Sequence, residues 1–95
     1  MSKSELSTKT YVLTSLSIES QTVKIVHISH SFNEIIIKLH DELNKFNSDG
    51  KKEYEHFTKV HNDNRKVEVY KREPGMIYGK TKELEFIYEI CEYNI

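Results

Sequence analysis

The chain has almost none of the residues that usually announce a catalytic centre or a stabilising cross-link. One cysteine among 95 residues, Cys91, excludes an intramolecular disulfide and a cysteine-based zinc site. Stability must therefore come from packing, and a reducing compartment is expected. One proline and three glycines exclude collagen-like and low-complexity chains, and tryptophan is absent. No apolar run approaches the roughly 20 residues needed to cross a bilayer. Residues 1–10 form a polar Ser/Thr/Lys arm without a secretory core. Neither sign of charge dominates, because 14 Lys and Arg face 15 Asp and Glu for a net charge of −1. These absences lead to the expectation of a cytoplasmic protein with no membrane partner and no cofactor.

What is present is a balanced globular composition, 37% hydrophobic and 31% charged, with six tyrosines and four phenylalanines. Such a chain can bury a modest core in one layer of helix and one of sheet. The expected organisation is a flexible arm over residues 1–9 and one domain over residues 10–95. Charge is uneven along it. Residues 51–82 hold nine Lys and Arg against five Asp and Glu, whereas residues 83–95 hold four Glu and no base. Basic strands lying beside an acidic one would neutralise each other across a sheet face.

Periodicity supplies the elements. Tyr11 to Ile18 is rich in β-formers, with Val12, Leu16 and Ile18 on one face, and Val23 to Ile28 is a β-branched run. Together they read as a hairpin broken at Glu19–Gln21. Ser31 followed by Glu34 is a capping box that starts a helix at Phe32. Phe32, Ile35, Ile36, Leu39, Leu43 and Phe46 then form one apolar stripe, with Gly50 as the stop. Glu34 with Lys38 and Asp41 with Lys45 are expected exposed pairs. Tyr54 to His61 and Lys66 to Arg72 read as a second hairpin turning at Asn62–Asn64, and Glu83 to Tyr93 as a closing strand. The order ββαβββ, with a short extended piece at Met76–Gly79, predicts an α+β fold. One amphipathic helix packs on one face of a mainly antiparallel sheet, and the β-grasp is the closest named arrangement.

Gly75, Gly79, Lys80 and Thr81 spell a phosphate-loop motif one residue too short. A true loop opens a helix whose N-terminal amides hold phosphate, but here a strand follows, so the stretch reads as a connection between strands. The more specific chemical pattern is His27-Ile28-Ser29 and His56-Phe57-Thr58, two copies of His, apolar, Ser/Thr. Two-histidine phosphoesterases use such motifs, with the imidazoles as acid and base and Ser29 and Thr58 on the phosphate. Those enzymes have two lobes, and the alternative is ordinary strand histidines. His27, His30, His56 and His61 offer metal ligands, but His27 and His30 straddle a strand end and a helix cap, so no metal site is expected. Cys91 has Glu89 and Glu92 beside it, an unfavourable setting for a thiolate nucleophile.

Tyr54, Tyr70, Tyr78, Tyr88 and Tyr93 are interleaved with Lys66, Lys71, Arg72 and Lys80. Aromatics among bases can stack single-stranded nucleic acid, with Lys66, Tyr70, Arg72 and Lys80 as the contacts. Protein contact is the favoured use of such a surface, with Tyr70, Arg72, Tyr78, Lys80 and Tyr88 as the binding residues and a protein partner or a second copy as the ligand.

Tyr11–Ser15, Ile18–Ser20, Ser31–Phe32, Val69–Glu73, Gly75, Ile77–Lys80 and Ile87–Tyr93 carry a resemblance covering most of the chain. On these residues it resembles a group of short uncharacterised proteins of large double-stranded DNA viruses. The resemblance implies no catalytic residue. It implies a viral accessory or virion component, located in the host cytoplasm or the particle.

Overall fold

A computed structural model describes residues 9–48, 50, 53–61, 64–72 and 82–94. The elements are β1 (Lys9–Ser17), β2 (Thr22–Ser29), α1 (Phe32–Leu43), β3 (Tyr54–His61), β4 (Asn64–Arg72) and β5 (Lys82–Asn94). All five strands form one antiparallel sheet in the order β2-β1-β5-β4-β3, so the α+β class and the ββαβββ order hold. The hairpin, helix and further strands follow in the expected order, but the central β1–β5 pair runs antiparallel, where a β-grasp pairs its first and last strands in parallel. The phosphate-loop near-miss and the Met76–Gly79 piece lie outside the described residues, as do the arm over residues 1–8 and the Asn62–Asp63 turn.

Strand alternation decides what is core. In β1 Tyr11, Leu13 and Ser15 are buried on one face, with Thr10 also buried at the strand start, whereas Val12 and Leu16 point to the opposite face. Register carries the buried face across the sheet: Leu13 lies opposite Ile90, Ser15 opposite Tyr88, and Val67 opposite Tyr88 on its other side. Ile35 and Leu39 of α1 close this cluster from above, both buried. Phe32 and Arg65 also meet there, with the guanidinium 5.0 Å from the ring centroid, and Tyr11 packs on Phe32 at 5.1 Å.

The helix ends are built differently from expectation. Ser31 does cap α1, its Oγ accepting from the Glu34 amide at 3.3 Å. The return half of the box is absent, because the Ser31 amide donates to Ser29 Oγ at 3.0 Å and the Glu34 carboxylate turns back to β2 instead. At the other end α1 stops at Leu43, well before Gly50, with the Asn44 amide donating to the His40 carbonyl at 2.9 Å. The chain then turns through Asn47, which has φ of +61°, a left-handed conformation that asparagine tolerates. The Asn47 side chain accepts from the Tyr54 amide at 2.9 Å and donates to the Tyr54 carbonyl at 3.0 Å, clamping the start of β3. Leaving the helix lets Phe46 drop between Tyr54, Phe86 and Tyr88, at centroid distances of 4.9, 5.4 and 6.4 Å. Lys45 pairs with Glu42 at 2.6 Å in place of Asp41.

Five strands at about 4.8 Å spacing make a sheet roughly 20 Å wide, and a helix of about 10 Å diameter cannot cover it. α1 lies over β1 and β2. Among the described residues two surfaces stay uncovered: the face opposite the helix, and the strip of the helix-side face over β3.

Candidate functional site

The two histidine motifs do not meet. β2 and β3 are the opposite edges of the sheet, four strand spacings apart, so His27 and His56 are separated by roughly 19 Å. That is far beyond the reach of one phosphate. His27 and Ser29 have a structural role. Their side chains stand beneath the start of α1, with His27 Nε2 3.5 Å from Glu34 Oε2. Hydrogen bonding from Ser29, then from His27, holds the Glu34 carboxyl below the usual carboxylate range. The motif that resembled catalytic machinery thus docks the helix N-terminus onto the edge strand. His30 also serves the fold, because its Nδ1 lies 3.2 Å from both Thr10 Oγ1 and the Lys9 carbonyl and so ties β1 to the β2–α1 link. Among the described residues no group of three His, Cys, Asp or Glu side chains is placed to hold a metal ion.

Cys91 stands on the face away from the helix, opposite Val12. Burial, then the charge of Glu89, pushes its thiol above the ordinary value, so the thiolate is disfavoured.

The five expected binding residues scatter. Tyr88 is a core residue, 5% exposed beneath Phe46, and is not a surface anchor. Its two-residue offset from Ile90 places it on the helix side, which alternation alone could not assign without knowing which face is covered. Tyr78 and Lys80 lie outside the described residues. Tyr70 and Arg72 are on the open face, and both are engaged within the chain. Tyr70 packs edge-on against Phe57 at 5.7 Å, and its hydroxyl donates to Glu68 at 3.3 Å. Arg72 and Lys82 converge on the Glu55 carboxylate, the lysine at 2.7 Å, with the Lys82 ammonium also 5.4 Å from the Phe57 centroid. Lys59 adds a contact to Glu68 at 3.6 Å. The basic, tyrosine-bearing half of the open face is a self-neutralised lattice, which weakens the field a nucleic-acid strand would feel.

The other half of that face is different. Register places Val23 beside Leu16 and Leu16 beside Ile87; Ile25 stands beside Thr14, and Ile28 beside Val12, which adjoins Cys91. The outermost members belong to the edge strand and are largely bare: Val23 is 66%, Ile25 63% and Ile28 54% exposed. A bulge at Leu13/Thr14 lets Ile25 and Ile28, three apart, share the face. Natural edge strands ordinarily carry charge or proline to discourage pairing, and the open face of β2 has neither. The β-branched run Val23–Ile28 was visible in the sequence as a strand. That its apolar side faces away from the helix was not.

Compared with known protein families, curated proteins and solved structures, the chain matches none. Among the described residues no helix is long and apolar enough to cross a membrane.

Proposed function

We propose that this protein is a non-enzymatic interaction module that associates through β2 and the apolar half of its open face, with a second copy of itself as the first partner. The observation that carries this is the bare row of Val23, Ile25 and Ile28 on the strand that forms the sheet edge among the described residues. An edge strand offers backbone donors and acceptors, and a second β2 laid antiparallel along it would continue the sheet about a two-fold axis. The two apolar rows would then stand side by side across the junction, each shielding the flank of the other from water. The charged half of the same face, already paired within the chain, would remain as the solvated rim. The setting that suits such a module is a small viral accessory or virion component.

The test is light scattering coupled to size exclusion over a wide concentration range, with hydrogen exchange of the β2 amides. A dimer whose β2 amides gain protection as concentration rises is the expected result. A monomer at every concentration, with β2 exchanging freely, would overturn the proposal.

A further inference from the structure

We infer that the groove between α1 and β3, on the opposite side of the sheet from the apolar row, is a binding site for a small carboxylate with an apolar tail. The helix covers β1 and β2, and the uncovered strip beside it forms a depression of about 320 Å³. Its floor is apolar, made by Ile36, Leu39 and Leu43 from the sheet-facing side of α1. Its polar lining is rich in donors: His40 and Asn44 come from the helix and its C-terminal cap, His56 and Thr58 from β3, and Arg65 from β4. Among the described residues no aspartate or glutamate lines it.

This combination selects the ligand. The guanidinium is permanently cationic, and each imidazole presents an N–H donor in either tautomer. Together with the Thr58 hydroxyl they suit an acceptor-only group bearing negative charge, and a carboxylate is the small planar anion an arginine recognises best. The floor offers nothing to a bare inorganic anion and rewards an alkyl or aryl tail. At roughly 30 Å³ per water-sized group, the volume holds about ten non-hydrogen atoms. An eight-carbon fatty acid has this size. The site reuses His56 and Thr58, the half of the histidine motif that has no structural role at the helix cap, with His40 in place of His27.

The experiment is titration of the full chain with octanoate, followed by amide chemical shifts. Octylammonium serves as the tail with the wrong charge, and inorganic phosphate as the anion without a tail. Saturable octanoate binding is expected at a dissociation constant on the order of a millimolar or below, as befits so small a ligand. Shifts should cluster on residues 36–44, 56–58 and 65, and both controls should bind at least about tenfold more weakly. His40 and His56 are exposed, so His40→Gln with His56→Gln should fold normally and weaken octanoate by about tenfold, a typical worth for a charge-assisted hydrogen bond. Octylammonium or phosphate binding as tightly as octanoate would overturn the inference. So would shifts centred on Val23, Ile25 and Ile28, an unaltered affinity in the double variant, or no saturation at any concentration below micelle formation.

Discussion

Replacing Ile25 with lysine separates association from folding. Ile25 is 63% exposed at the middle of the edge strand, so its side chain contributes little to the fold and much of its surface is available to a partner. Full burial of an isoleucine side chain is worth about 1.5–3 kcal/mol; side-by-side pairing shields roughly half of the exposed share, and with one Ile25 in each of the two copies this comes to roughly 1–2 kcal/mol of association energy. At about 1.4 kcal/mol per decade, loss of the apolar contact alone weakens a complex by roughly 5- to 30-fold. The lysine charge adds to this, because the two-fold junction brings the two ammonium groups near one another and β2 carries no carboxylate to receive them. Folding stability should change by only about 0.5 kcal/mol, since the site is on the surface, which for a domain of this size moves the melting temperature by roughly 2–4 °C. The assay is sedimentation equilibrium of both proteins at matched concentrations, with urea unfolding of each as monomer. If Ile25→Lys associates as tightly as the parent chain, β2 is not the interface. If it loses more than about 2 kcal/mol of stability, Ile25 is part of the folding core and the exposure argument fails.

Three further outcomes follow from the packing. Asn47→Gly keeps the left-handed backbone but removes both hydrogen bonds to Tyr54, so it should cost about 1–3 kcal/mol at unchanged m-value in urea unfolding; a loss under about 0.5 kcal/mol would show that the clamp is idle. Ile35→Ala, at a site with no exposure beneath the helix, should destabilise by about 2–5 kcal/mol, and a smaller loss would mean that α1 is loosely seated. Burial, then the charge of Glu42, raises the Tyr88 phenol above its ordinary value of 10.0. Its neutral form is therefore favoured by the fold, and the stability it contributes is fully present below pH 10 and lost as pH rises through the higher folded value. Tyrosinate absorbance should show one tyrosine ionising late and together with unfolding, and Tyr88→Phe should abolish that coupling; a Tyr88 that titrates in step with the exposed tyrosines would contradict its burial.

The elements themselves were written locally. Hydrophobic period and β-branching marked the strands, and a serine cap with an apolar stripe marked α1, because these depend on residues a few positions apart. The stripe misled at its end: Phe46 fits the helical spacing yet belongs to the turn, since its burial against Phe86 is a contact between distant segments and the Asn47 clamp fastens the turn to the start of β3. Function was less legible. His27-Ile28-Ser29 and His56-Phe57-Thr58 are alike in sequence, but strand order sends them to opposite edges, where one seats a helix and the other lines a groove.

The scarcity of cysteine, glycine and proline fixed, before any fold was known, that this chain holds together by packing and hydrogen bonding, and alternation fixed which residues share a strand face except across the β1–β2 bulge, which sets Ile28 on the face of Ile25. Only the tertiary structure decided which face is inside. A strand carries two faces of similar polarity here, Tyr11 and Leu13 on one and Val12 and Leu16 on the other. The choice between them is made by where a single helix, too narrow for five strands, comes to rest. That placement buries Tyr88, leaves Val23, Ile25 and Ile28 bare on the far face, and opens the groove beside β3.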